Sequence, residues 1–174
     1  TVQIVCWGDS VTAGAEATPG NAYPAVLERG LRERFPAADI RVSVVAVPGS
    51  SSTNWLWPRE YPFGNADWSR VADAKPDVIV LEFVNDAGLN SAAAVESHYG
   101  EILRRVRELN AELILITPHF TCPDMMHFPE GAYGRECRPY VDGLRQFAER
   151  HRIGMADAAA RWEELELQGI PYVT

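Results

Sequence analysis

Five short apolar runs punctuate the chain: Val2–Trp7, Ile40–Val47, Val78–Phe83, Leu113–Thr117 and Ile153–Ala156. They are rich in Val and Ile and largely continuous rather than alternating, which is how strands covered on both faces read. Between them apolar residues recur at helical spacing. Tyr23, Val26, Leu27, Leu31 and Phe35 form one stripe, with Pro24 at a first-turn position. Val95, Tyr99, Ile102, Leu103, Val106 and Leu109 form a second, with Arg104, Arg105, Arg107 and Glu108 turned to water. Tyr140, Leu144, Phe147 and Ala148 place a third helix over Pro139–His151, and Asp157 offers an N-cap to a last one carrying Trp162 and Leu165. This alternation predicts an α/β fold, a five-stranded parallel sheet with helices on both faces and right-handed crossovers. One stretch breaks the rhythm. Gly49–Lys75 has no clear period, yet it holds Trp55, Trp57, Tyr61, Phe63 and Trp68. A loop of that composition either carries function or packs as its own aromatic cluster.

The length of 174 residues suits a single domain with a sizeable core. A net charge of −8 argues against a nucleic-acid partner, which would want a basic face. No apolar run is long enough to span a bilayer, and no signal-peptide pattern opens the chain. The cytoplasm is therefore the expected location, but the chain starts at Thr1 rather than Met, which leaves the exterior open if a leader has been removed. Nothing in the pattern sets an oligomeric state. Of the three cysteines, Cys6 falls in the first apolar run and reads as a buried thiol, while Cys122 and Cys137 bracket a loop-like stretch and could pair. Without a Cys-x-x-Cys or a His cluster, no zinc site is expected.

In an open parallel sheet, ligands bind beyond the carboxyl ends of the strands. Gly8, Asp9 and Ser10 follow the first run; Pro48, Gly49 and a serine-rich turn follow the second; Asn85 and Asp86 follow the third. Pro118 and His119 follow the fourth, and Asp157 follows the fifth. Acyl transfer needs such a set. A serine hydroxyl is a poor nucleophile without a base, and the carbonyl oxygen it attacks becomes an oxyanion that needs donors. Ser10 could offer its hydroxyl and its own N–H, Gly49 an unobstructed N–H, and Asn85 its carboxamide. Each also has a structural explanation: a helix cap for Ser10, a turn glycine for Gly49, an Asx turn for Asn85.

The segments "GDSVTAG", "VPGSSST" and "FVNDA" resemble, in order and rough spacing, the first three blocks of the SGNH (GDSL-type) hydrolases. The resemblance implies a flavodoxin-like three-layer sandwich and a serine esterase acting on small carboxylic esters, acetyl or other short acyl groups on carbohydrate or lipid, with no cofactor. It implies that Ser10 is the nucleophile and an oxyanion donor, and that Gly49 and Asn85 complete the oxyanion hole. Asp9 and Asp86 then fix the loops by hydrogen bonding, with no metal involved.

The chain departs from the family pattern in three places. Val11 replaces Leu, Phe83 replaces the Gly that opens the third block, and no Asp-x-x-His occurs. The expectation is therefore a C-terminally incomplete SGNH-like domain over 1–174, whose base and its acid lie in a missing tail. His119 stands on the right rim as a substrate contact. His98 and His151 fall within helices and read as surface residues, and His127 as a loop residue. Glu82 lies inside a strand that should be buried, so a salt bridge or strand-end solvation is expected for it. The α/β-hydrolase family is set aside, since Thr12 stands where its Gly-x-Ser-x-Gly elbow needs the last glycine. Two alternatives remain: a flavodoxin-like binding module, against which stands the lack of a P-loop lysine or Gly-x-Gly-x-x-Gly turn, and an SGNH relative that binds without turnover.

Overall fold

The computed structural model describes residues 1–58, 63–119 and 138–170. Five strands, β1 (Val2–Gly8), β2 (Ile40–Ala46), β3 (Val78–Glu82), β4 (Glu112–Ile116) and β5 (Gly154–Ala156), form one sheet in the order β2-β1-β3-β4-β5. Every pairing is parallel. Each expected strand is found, with ends moved by a residue.

Strand alternation sends two sets of side chains to opposite faces. Val5 and Trp7, Ile79 and Leu81, and Leu113 and Leu115 enter the larger core. There they meet α3 (Ser52–Leu56), α4 (Trp68–Asp73), α6 (Ala92–Glu108) and α7 (Arg138–His151). Ile4, Cys6 and Val80 face the other way, under Tyr23, Leu27 and Leu31 of α2 (Tyr23–Arg34). Both faces are thus covered, which is why the runs read as continuous rather than alternating.

Trp7 is fully buried and anchors the larger core. Its ring lies 5.6 Å from Trp55, 5.3 Å from Trp68 and 5.3 Å from Phe83, edge-on to Trp55 and Phe83. Such pairs contribute about 0.5–1.5 kcal/mol each beyond the area they bury. The aperiodic stretch after Gly49 is therefore a packing cluster built on two short helices, with Trp57 half exposed at its edge; Tyr61 lies outside the described residues.

Phe83, in place of the expected glycine, keeps an ordinary backbone, since it is not among the residues of positive φ. Its ring fills space beside Trp7, and its carbonyl accepts from the Tyr140 hydroxyl at 2.7 Å. Asp157 caps α8 (Ala158–Leu167) by accepting from the Ala160 amide at 3.1 Å. It does more than cap: it also pairs with Arg145 at 2.8 Å and accepts from Thr117 at 2.9 Å.

Candidate active site

The sheet order places β1 between β2 and β3, so crossovers leave β1 in both directions and a crevice opens at the carboxyl ends of β1 and β3. Three of the sequence-predicted residues sit at that edge.

The first turn is made possible by Gly8. A β-carbon there would lie 2.1 Å from Thr12 Oγ1 and 2.4 Å from the Glu82 carbonyl oxygen. With only a hydrogen, β1 runs directly into α1 (Ser10–Ala13), pressed against β3. Asp9 is the N-cap, its Oδ1 accepting from the Val11 amide at 3.0 Å. Ser10 is the first residue of the helix and stays partly exposed, while its neighbours Gly8 and Asp9 are buried.

The second turn spans Val47 to Ser50. The Ser50 amide donates to the Val47 carbonyl at 3.1 Å, with Pro48 and then Gly49, at φ +79°, in the central positions. That is the arrangement of a type II turn, which needs glycine in its third place. The three serines that follow are buried and engaged. Ser50 Oγ accepts from the Trp55 indole at 2.9 Å, Ser51 forms a capping box with Asn54, and Ser52 turns inward to Asp86.

The third turn carries Asn85 and Asp86 at the start of α5 (Asp86–Leu89). Asn85 ties the other two turns together. Its Nδ2 donates to Asp9 Oδ2 at 3.1 Å and to the Ser50 carbonyl at 3.0 Å, and its backbone N–H reaches Asp9 Oδ2 at 3.3 Å. Asp86 accepts on Oδ1 from the Ser52 amide (2.9 Å), the Ser52 hydroxyl (3.0 Å) and Asn90 Nδ2 (2.7 Å). The segments holding Ser10, Gly49 and Asn85 therefore meet through hydrogen bonds at residues 9, 50 and 85.

Electrostatically the floor of the site is acidic. Burial pushes the Asp9 carboxyl up to about 6, against the hydrogen bonds that hold it down. Burial also raises Asp86 to about 6, against its bonds from Ser52 and Asn90. Glu82 is raised well above the usual range by burial and then by the charges of Asp9 and Asp86. No salt bridge or solvent contact relieves it: both carboxyl oxygens are buried without a donor among the described residues, contrary to the expectation from its place in the strand.

The histidines divide. His98 is buried, not on the surface: its Nδ1 lies 2.9 Å from Ser52 Oγ, and its ring packs on Trp57 at 5.0 Å. Because Ser52 spends its single hydrogen on Asp86, the neutral His98 ring carries its proton on Nδ1 and donates it to Ser52. The helical stripe could have shown this, since His98 adjoins Tyr99 and follows Val95 by three residues. His151 is half-buried and packs on Phe147 at 4.3 Å. His119 is half-buried just past β4, and burial lowers its pKa. No hydrogen bond among the described residues joins a histidine to Ser10. His127, Cys122 and Cys137 lie outside those residues. Among the described residues, no group of three or more His, Cys, Asp or Glu is arranged to hold a metal, and no helix is long and apolar enough to cross a membrane.

Comparison with curated proteins gives no match. Solved structures share the fold. AlAXEase, an acetyl xylan esterase, superposes with a TM-score of 0.73 at 19% identity over 97% of this chain and 83% of its own. LAE5, an alpha/beta hydrolase enzyme from the metagenome of Lake Arreo, Spain, gives 0.73 at 24% identity over 96% and 81%. AlinE4, an SGNH-hydrolase family esterase, gives 0.63 at 22% identity over 90% and 75%. The model of the GDSL-like Lipase/Acylhydrolase family matches residues 6–172, nearly the whole chain and all three turns described above, and the protein belongs to that family.

Proposed function

We propose that the protein hydrolyses carboxylic esters with short acyl groups through an acyl intermediate on Ser10. The observation that carries this reading is the Asn85 carboxamide bonded to both Asp9 and Ser50, which draws the Ser10 and Gly49 turns to one point at the carboxyl edge. In the reaction, Ser10 Oγ attacks the ester carbonyl and its proton passes to a base. The carbonyl oxygen, now negative, takes hydrogen bonds from the Ser10 and Gly49 amides and from Asn85 Nδ2, each worth roughly 3–4 kcal/mol in such sites. The alkoxide leaves with a proton, and water attacks the acyl-serine by the same route. Rather than react, Asp9 holds Asn85, and Asp86 holds the segment after the second turn through Ser52. His119, on the same rim, contacts the substrate. An acetyl ester is the preferred substrate class, in keeping with the acetyl xylan esterase among the similar structures.

A second reading has one observation in its favour. No described histidine bonds to Ser10, so the chain could bind acyl esters without turning them over. One experiment separates the two. The protein and a Ser10→Ala variant are treated with a fluorophosphonate and assayed on p-nitrophenyl acetate, and the adduct is mapped by mass spectrometry. Turnover with the adduct on Ser10, both lost in the variant, supports hydrolysis. An adduct on Ser10 without turnover supports binding alone. Turnover that survives in Ser10→Ala removes the nucleophile assignment.

A further inference from the structure

We propose that Glu82 holds a proton at neutral pH and donates it to the Asp9 carboxylate, and that this bond fixes the Asn85 carboxamide in the site. Glu82 of β3 pairs with Gly8 of β1, the residue before Asp9. Gly8 has no side chain; Thr12 fills the space a β-carbon would take there, and the buried Glu82 carboxyl, one strand over, interacts with that of Asp9.

Both groups are buried, Asp9 at 0% and Glu82 at 2% exposure. Two buried carboxylates in contact repel, and both are acceptors, so neither can satisfy the other unless one carries a hydrogen. The donor count says which. Asp9 already accepts three N–H bonds, from the Val11 amide, the Asn85 amide and Asn85 Nδ2, and these favour its ionised form. Glu82 accepts none that closes, although the Val84 amide faces both carboxyls. The proton therefore sits on Glu82, and its O–H supplies the missing donor. The other titratable groups around Glu82 relieve no negative charge. Cys6 of β1 and Tyr23 of α2 are neutral neighbours, Asp86 of α5 adds a like charge, and Tyr99 of α6 and Tyr140 of α7 are buried phenols. Burial raises Glu82 in the same direction.

Glu82 touches no substrate; it is a positioning residue that acts through Asp9. Its duty toward an oxyanion rests on the reading of Asn85 above, but the shared proton does not. The test accordingly needs no turnover. Infrared spectra at neutral pH should show a protonated carboxyl C=O stretch in the wild type, one carboxyl fewer in Glu82→Gln, and no change in Cys6→Ala. In NMR, the Asn85 side-chain NH2 should exchange slowly in the wild type and in Glu82→Gln, whose amide can donate to Asp9. It should exchange at least tenfold faster in Glu82→Leu. A wild-type spectrum without the band, or a band that persists unchanged in Glu82→Gln, overturns the proposal. If Glu82→Leu does not fold, the infrared comparison with Glu82→Gln still decides.

Discussion

The Asn85 side-chain nitrogen donates to the Ser50 carbonyl at 3.0 Å, and this bond governs how an oxyanion could enter the site. A carboxamide has two N–H donors. Asp9 Oδ2 takes one at 3.1 Å and Ser50 the other. A negative oxygen must displace one of them, and the neutral Ser50 carbonyl is the weaker competitor. The turn after β2, which also presents Gly49, is thus the part that gives way when the ester is attacked.

Asn85→Ala is expected to lower the acylation rate about a hundredfold, the usual cost of one lost oxyanion donor. The variant also leaves Asp9 with fewer N–H partners and frees the Ser50 carbonyl, so its thermal midpoint should fall. Pre-steady-state release of p-nitrophenol, compared with the wild type below the melting range, separates the two effects. An unchanged acylation rate in a folded variant would remove Asn85 from the oxyanion role.

Gly8 tests the close approach of β1, α1 and β3. In Gly8→Ala the new methyl would meet the Glu82 carbonyl at 2.4 Å, a backbone atom that cannot swing away. The loss should exceed about 3 kcal/mol, with the Ser10 turn displaced. Gly100 in α6 is the control, since a β-carbon there has nothing within 4 Å. Gly100→Ala should gain roughly 0.5–1 kcal/mol by removing helix-interior glycine entropy. Urea unfolding of both variants measures the contrast, and similar small effects at the two positions would contradict the packing described.

Most of this fold was legible because its strands are buried on both faces. Val2–Trp7 and Val78–Phe83 could scarcely be anything else, and the stripes of α2, α6 and α7 gave clear helical periods. The start of α1 at Ser10 showed in its capping residues, but the short helices α3, α4 and α5 were not legible: four to six residues span too little of a turn for periodicity to show. At the site, Ser10, Gly49 and Asn85 could be placed on one edge because each follows a strand. Their partners could not. That Ser50 offers its carbonyl rather than its side chain to Asn85, or that Ser52 turns inward to Asp86 and His98, depends on the path of a turn. Glu82 misled for a related reason. Its position in a strand predicts burial, but not that the charges acting on it are those of two other acids, Asp9 and Asp86, which depends on the register with Gly8 and the path of the turns.

His98 supports the site from behind. Through Ser52 it braces the same turn that Asn85 holds from the front. His98→Ala should cost about 1–2 kcal/mol, the loss of one buried hydrogen bond together with the contact to Trp57. Ser52 keeps its bond to Asp86, so activity should survive. His98→Asn, which puts an amide nitrogen near the position of Nδ1, should restore part of the loss. Chemical denaturation read beside ester turnover checks both statements. Full loss of turnover in a folded His98→Ala would mean that His98 does chemistry.

The buried acids make a pH prediction whose sign follows from proton binding. An acid whose folded pKa lies above its unfolded value binds more protons folded than unfolded, so its contribution to stability is complete below the unfolded pKa and is lost as pH rises through the folded one. Asp86 goes from an ordinary 3.8 to about 6, which is worth roughly 3 kcal/mol across that window. His98 and His119, lowered by burial, act oppositely: they cost stability as pH falls below their ordinary 6.5. Whole-protein curves mix these trends, but differences between variants isolate one group. Stability of Asp86→Asn relative to the wild type should climb as pH rises from about 4 and level off just above pH 6, where Asp86, with three donors on Oδ1, has finished titrating. Glu82 has no such donors, so the relative stability of Glu82→Gln should keep climbing beyond that point. Urea midpoints measured over this pH range report both curves. A Glu82→Gln curve that levels off together with that of Asp86→Asn would show that Glu82 ionises as readily as Asp86, and that the two carboxyls beside Asn85 share no proton at neutral pH.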